Sequence, residues 1–325
     1  MRCEVGDLHV DKKKDKDLET QKKGENQYLT NSTIIKERRT LMKRKASYSL
    51  VPILSSLLFI FAFISAGKLG FPQKDDLSLW DLYETKIKPR AFVDLTHAFA
   101  PGIPRWPGFP SEERKIIYTY EKDGFLAELF THVGQYGTHC DPPGHFQKGL
   151  RMLDEIPVKE MIMPLVVIDC SQKVIKNPDY QLVLEDIKTW ETRHGRIPQG
   201  AFVAMRTDWY KRFSDINAFY NKDAKGQAHY PGWTIGALKF LFDERGVTAI
   251  GHEPIDSDAA ITQIGEFFSC ESYVLKSNRF QIELIANLDK VPEAGALLVC
   301  TWPKPKAGSG FPARLFAIIP ESGLP

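Results

Sequence analysis

Cysteine is scarce and irregularly spaced in this chain of 325 residues. There are five (Cys3, Cys140, Cys170, Cys270 and Cys300), and no two form a CxxC pair. A zinc ribbon and a thioredoxin-type redox centre are therefore not expected. The odd number gives no support to a disulfide framework, though one bridge among the last four stays open in an oxidising compartment. Net charge is scarce too: 43 Lys and Arg against 41 Asp and Glu leave +2. The basic residues near the start (Lys12 to Lys14, Lys22, Lys23) are interleaved with acids. They read as a solvated tail, and nucleic acid is not an expected partner. No internal repeat is present, which argues against a repeat architecture. The longest apolar run falls short of the roughly 20 residues that span a bilayer.

What the chain does have is 43% hydrophobic and 26% charged residues, ample for a globular core. Lys43, Arg44 and Lys45 precede an apolar stretch over 50–64, followed by Ser65, Ala66 and Gly67. That order of parts is expected of a secretory signal peptide over 42–67, cleaved before Lys68. Residues 1–41 carry too little apolar surface to fold, and read as a disordered or non-native extension ahead of a start at Met42. The expected location is periplasmic or secreted. An uncleaved membrane anchor is the alternative, and it too places the remainder outside the cytoplasm. Residues 68–90 form a polar lead-in, and 91–325 one domain.

Within that domain, residues 92–95 read as a strand running into the Pro- and Gly-rich loop 101–110. Residues 116–120 and 125–133 form a hairpin across 122–124. Short apolar runs at 165–169 and 201–205 read as buried strands. Residues 233–246 carry a helical stripe closed by Gly246, before a strand at 247–250. Residues 269–277 read as helix, and 280–286, 297–301 and 315–319 as strands. The fold class is α/β: one mixed-sheet domain with packed helices.

The chemistry concentrates in the segment Gln135-Tyr-Gly-Thr-His139-Cys-Asp141-Pro-Pro-Gly-His145. In an extended segment His139 and Asp141, two apart, project to one face and reach one cation, while Cys140 points the other way. Pro142 and Pro143 keep helix out, and Gly137 and Gly144 permit sharp bends. So many ligand-type residues in a Pro/Gly-shaped loop favour a metal over a chance meeting. Trp106 and Trp209 are candidates for the wall of an aromatic-substrate pocket, with ordinary packing as the other reading.

The segment resembles the signature of the cyclase family of metal hydrolases, which includes bacterial kynurenine formamidases and isatin hydrolases. That signature runs His-x-Gly-Thr-His-x-Asp-x-Pro-x-His; here it reads Gln135-x-Gly137-Thr138-His139-x-Asp141-x-Pro143-x-His145. Asp94 to His97, Pro104 to Gly108, Gly246 with Gly251 and Asp256, Glu283 to Leu288, and Pro312 with Arg314 extend the likeness over about 92–320. The resemblance implies a swivelling β/β/α fold, with His139, Asp141 and Glu283 as metal ligands and His145 as general acid/base. Glu271 and Gln135 stand where the family has histidine, so both exchange nitrogen for oxygen. The resulting set leans toward Mn²⁺ or Mg²⁺ over Zn²⁺, with Mn²⁺ and Zn²⁺ the ions to test and one ion or two left open. His97 is a further substrate-pocket candidate by resemblance. The implied activity is hydrolysis of a small amide or cyclic amide, arylformamidase-like: N-formylkynurenine to kynurenine, in tryptophan catabolism. A lactone hydrolase or dehydratase on the same scaffold, or an exported binding protein without catalysis, are the alternatives. The expected partners are a small-molecule substrate and, in a homodimer or higher oligomer, further copies of the chain.

Overall fold

The run Leu165-Val166-Val167-Ile168 is apolar on both faces, which a strand sustains only where both faces are covered. A computed structural model of the chain, describing residues 78–263 and 268–321, shows it so covered. The expected extension (1–41), the signal segment (42–67) and the start of the lead-in (68–77) lie outside the described residues. Among the described residues, no helix is long and apolar enough to cross a membrane.

The strands are β1 (Ala91–Asp94), β2 (Glu113–Tyr118), β3 (Ala127–Thr131), β4 (His139–Asp141), β5 (Ile162–Asp169), β6 (Gln181–Leu182) and β7 (Phe202–Arg206). They continue with β8 (Gly232–Trp233), β9 (Ala249–His252), β10 (Phe280–Glu283), β11 (Ala296–Thr301), β12 (Phe311–Pro312) and β13 (Arg314–Ile319). Nine of them form one sheet in the order β1-β13-β11-β5-β7-β9-β10-β4-β12. The middle four, β5-β7-β9-β10, run parallel, and antiparallel strands extend both sides. Parallel neighbours need crossovers. Helices Ser171–Lys176 and Leu184–His194 lie in the first, Ile235–Lys239 in the second and Ser269–Lys276 in the third. Leu184–His194 starts where the Asp186 carboxylate accepts from the Val183 N–H at 2.9 Å, and stops at Gly195 (φ 85°).

Strand alternation sorts the apolar residues into two cores. Val166, Ile168, Val203, Met205 and Ile250 pack with Ile187, Trp190, Leu238, Leu241, Val274 and Leu275 of the helices. Leu165, Val167, Phe202, Ala204 and Ala249 face the opposite way. There the sheet curls, so that Leu298, Cys300, Leu315 and Ala317 from one wing meet Cys140, Phe280 and Ile282 from the other. Phe280 and Trp302 make an edge contact across this inner face, with ring centroids 5.5 Å apart.

Two local expectations change. Residues 233–246 begin as strand β8, and the helix is Ile235–Lys239 running on as a π-type turn, Phe240–Glu244. The connection between β2 and β3 holds a helical turn, Tyr120–Asp123, capped by Gly124 (φ 78°), in place of a tight turn. Cys140, Cys170, Cys270 and Cys300 are all buried free thiols, so none of the four is bridged.

At Gly232 an added Cβ would fall 2.1 Å from the Ala259 backbone nitrogen, whereas at Gly236, in helix Ile235–Lys239, it would meet nothing. Gly232→Ala is therefore expected to destabilise by about 1–3 kcal/mol or more. Gly236→Ala should stabilise by up to about 1 kcal/mol. Thermal unfolding of the two variants beside the parent reads this, and equal melting temperatures would contradict the packing at β8.

Candidate active site

The register of β4 against β10 sets the site. His139 lies opposite Glu283, Cys140 opposite Ile282, and Asp141 opposite Gln281. Alternation sends Cys140 and Ile282 into the core and puts His139, Asp141, Gln281 and Glu283 on the other face. After Asp141 the prolines lead into a short 3₁₀ turn, Pro143–His145. The turn is tightly packed at its centre: a Cβ on Gly144 would lie 3.1 Å from the Arg151 and Leu150 carbonyl oxygens and would displace the Met152 side chain. It carries His145 and Phe146 into the wall of a cavity of about 210 Å³, which Trp106, Gln135, His139, Asp141, Asp256, Glu271 and Glu283 also line.

Each acidic side chain is held in place. Glu271 rides on the first turn of helix Ser269–Lys276, whose start is tied to Asp258. The Asp258 carboxylate accepts from Ser269 Oγ at 2.8 Å and from the backbone N–H groups of Cys270 and Glu271 at 2.9 and 3.0 Å. Asp256 accepts from the Asp258 N–H at 2.8 Å and from Gln263 Nε2 at 3.0 Å. Gln281 Nε2 lies 3.3 Å from Asp141 Oδ2, 3.2 Å from Glu271 Oε1 and 3.0 Å from Glu283 Oε1. An amide nitrogen has two hydrogens, so it serves at most two of these three at once.

His139 Nδ1 sits 2.8 Å from the Gly137 carbonyl, which can only accept, so this nitrogen carries the hydrogen. The other, Nε2, faces Asp141 Oδ2 at 3.3 Å and Glu283 Oε2 at 3.6 Å. A ring nitrogen and two carboxylate oxygens at such separations call for a cation among them, a proton or a metal. Burial disfavours a charged imidazole here, yet the Asp141 carboxylate outweighs it and raises the His139 pKa. Burial likewise works against an ionised Asp141, but the His139 charge and hydrogen bond, with the His145 charge, hold it down to about 2. For Glu271 and Glu283, burial and then neighbouring carboxylates push the pKa well above the ordinary range. Burial does the same for Asp256, aided by Asp258 and Asp141. His252 lies beneath the cluster with Nε2 3.5 Å from Glu283 Oε1, and burial first, then the His139 charge, drives its pKa to about 3.

Two sets of ligand-type atoms lie within 4.8 Å of one another, His139/Asp141/Glu283 and Asp256/Glu271/Glu283. They share Glu283, so the geometry admits one divalent ion or two. Asp141 Oδ1 and His252 Nε2 are buried without a hydrogen-bond partner. The unpartnered Asp141 oxygen and the mutually repelling acids both fit a cation at this place, whereas His252 accepts from Trp233 Nε1 at Nδ1 and so carries its hydrogen on Nε2.

Of the residues singled out in the sequence, Gln135, His139, Asp141, His145, Glu271, Glu283 and Trp106 meet at this cavity. The Gln135 amide nitrogen is engaged by the Ser309 carbonyl at 2.7 Å, leaving its oxygen end for the cavity. Trp209 does not reach it: it is buried in the helix-side core, its Nε1 donating to the Phe219 carbonyl at 3.0 Å. His97 stacks on Phe213 at 3.7 Å and lines a separate cavity with Thr138, Trp302 and Arg314. The sequence reading gave no ligand role to Asp256 and overlooked Gln281 and Asp258. Gln281 had a signal, since it stands two before Glu283 in a strand; Asp256 had its place in the family likeness, and Asp258, in the same irregular loop, had none.

A cleft of two imidazoles and four carboxylates at the carboxyl ends of β9 and β10, on a curled mixed sheet, is the site of a metal-dependent hydrolase. The chain belongs to the Cyclase family, whose model matches residues 93–259. It is 35% identical over 246 residues to the isatin hydrolase of Roseibium aggregatum, covering 71% of this chain and 92% of that protein. Isatin hydrolase A of Labrenzia aggregata, bound to benzyl benzoate, superposes with a TM-score of 0.69 at 31% identity, covering 75% of this chain and 100% of that one. An isatin hydrolase bound to the product analogue thioisatinate gives 0.68 at 30% identity, covering 82% of this chain and 100% of the other.

Metal removal should show in stability. Asp256, Glu271 and Glu283 have raised pKa values in the fold. Their contribution is therefore full below the ordinary carboxylate range and is lost as pH rises through the raised values. Asp141, held down to about 2, keeps its contribution above its ordinary value and has no effect on the trend above pH 5. His252, driven down to about 3, adds stability as pH rises only up to its ordinary value near 6.5, so the chelated protein should lose melting temperature from pH 7 to pH 8. A divalent ion at 100 times its Kd should restore about 2.7 kcal/mol. A chelated protein that gains stability over this range, or ignores the ion, would contradict the cluster.

Proposed function

We propose that this chain hydrolyses a small aromatic cyclic amide of the isatin type, outside the cytoplasm. Its divalent cation would be held by His139, Asp141 and Glu283, with Asp256 and Glu271 on the far side of Glu283. The observation that carries the reading is the juxtaposition of this acid cluster with an apolar wall of Trp106, Phe109, Phe146, Ile255, Phe268 and Leu284 in one small cavity. Such a cavity suits a flat bicyclic ring and excludes a polymer. Relatives at 30% identity or more that are isatin hydrolases support the same substrate class. Export rests on the segment 42–67, and Mn²⁺ is placed before Zn²⁺ because the donors are mostly oxygen.

In the reaction, the oxygen of water bonds to the amide carbonyl carbon and the C–N bond breaks. One water proton passes to the nitrogen, giving an aryl amine, and the acid formed ionises at neutral pH. A bound divalent cation supplies Lewis-acid charge for the carbonyl and makes water more acidic. The protein groups do the rest. The aromatic wall orients the ring and excludes solvent, and His139 and the carboxylates would hold the cation. His145, at the cavity wall and close enough for its charge to act on Asp141, takes the proton from water and returns it to nitrogen. N-formylkynurenine carries the same aryl–nitrogen–carbonyl unit and is the second reading, favoured by the signature over 135–145.

The test uses protein stripped by chelator and reloaded with Mn²⁺ or Zn²⁺, assayed on isatin and N-formylkynurenine. Metal-dependent opening of isatin is expected. A full metal complement with turnover of neither would redirect the search to lactones, dehydration substrates or a binding role. His145→Ala should keep the metal and lose about 10²–10⁴-fold in kcat. Loss of the metal itself, measured by elemental analysis, would make His145 a ligand. Asp141→Ala should release the metal, and full retention would remove Asp141 from the set.

A further inference from the structure

The hairpin of β2 and β3 stands apart from the nine-stranded sheet. Its two strands form a sheet of their own, and all six residues of β2 are exposed. What they expose is not the polar surface of a solvated ribbon. Ile116, Ile117, Leu129 and Phe130 lie along the strands, each between 42% and 57% exposed. Tyr118, Tyr120, Phe125 and Leu126 lie toward the tip, between 43% and 66% exposed. Leu129 and Phe130 are consecutive in a strand, so both faces of the ribbon carry apolar side chains. The root, by contrast, is firmly built. Arg114 donates to the buried Glu112 at 3.0 Å and lies 4.8 Å over the Phe130 ring, which meets Phe99 edge-on.

A two-stranded ribbon is marginal in water by itself, and an apolar arm on a fixed root calls for a cover. With about 150–250 Å² for each whole aromatic side chain, these residues leave bare on the order of 800 Å². A standard-size interface takes about 800 Å² from each partner. A bilayer would cover the tip alone, leaving Ile116 and Leu129 bare, and Glu121 and Asp123 beside Tyr120 oppose that entry. A strongly charged partner finds no field to read, since Arg114, Lys115 and Lys122 are nearly balanced by Glu113, Glu121, Asp123 and Glu128. The same arm on another copy has the matching area, apolar on both faces and mixed in charge. We propose that this hairpin is the docking surface for a second copy of the chain, each arm clasping the other across a two-fold axis. The inference is independent of the substrate reading. It bears on the site all the same, because the arm leaves the cavity wall after Phe109 and rejoins it before Gln135.

The experiment is sedimentation equilibrium of the purified protein from nanomolar to micromolar concentration, with melting temperature read beside it to confirm folding. The parent should sediment at twice the chain mass in the micromolar range. Ile117→Glu with Leu129→Glu changes only exposed side chains and should raise the dimer Kd about 100-fold or more. Val158→Glu, at an exposed apolar residue on the turn before β5, should leave the Kd unchanged. Hydrogen exchange of the unmodified protein should show protection over 113–131 that rises with concentration. A parent that stays monomeric throughout overturns the proposal, whether or not it sediments with vesicles of phosphatidylcholine and phosphatidylglycerol. So does a dimer that survives the hairpin substitutions, that Val158→Glu dissociates, or whose concentration-dependent protection lies outside 113–131.

Discussion

Four carboxylates, Asp141, Asp256, Glu271 and Glu283, are almost fully buried in one pocket, and their mutual repulsion is the constraint that shapes everything around them. Buried like charges cannot all remain ionised without a compensating cation. The protein arranges partial compensation of its own. His139 lies between Asp141 and Glu283, and the Gln281 amide nitrogen sits within reach of three of the acids, of which its two hydrogens serve two at a time. Neither is enough, as the raised pKa values of Asp256, Glu271 and Glu283 show. A site that pulls protons onto its acids has a matching appetite for a divalent metal, because the same field attracts both.

The fold serves that constraint by rigidity. β4 is short, but it is held between β10 and β12, so the side chains at 139 and 141 cannot turn away from the cleft. Helix Ser269–Lys276 delivers Glu271 from the opposite side, and Asp258 pins its first turn through three hydrogen bonds. Ligands placed on paired strands and a capped helix do not have to be ordered when a cation arrives, and that lowers the entropic cost of binding. The loop from Ile103 to Phe109 then closes the cavity with an aromatic ring and an arginine whose fork is tied to the loop's own carbonyls. Acid cluster and apolar wall thus share one small pocket.

The sequence by itself determined the strand positions of the parallel centre, since the runs at 165–169 and 201–205 are apolar on both faces and admit few other uses. It also determined the pairing of His139 with Asp141 and the turn of Cys140 away from them, because a residue spacing of two in an extended segment decides the face. The signature over 135–145 located the site and the family. Tertiary structure alone decided which distant residues join it. Asp256 and Asp258 come from a loop with no periodicity, and only the crossover from β9 to β10 carries them to the cleft. Trp209 and His97 are aromatic and near plausible motifs, but packing sends one into the helix-side core and the other to a different cavity. Local sequence encodes direction along a strand; it does not encode which elements the curl of a nine-stranded sheet brings together, because that depends on contacts between residues more than a hundred positions apart.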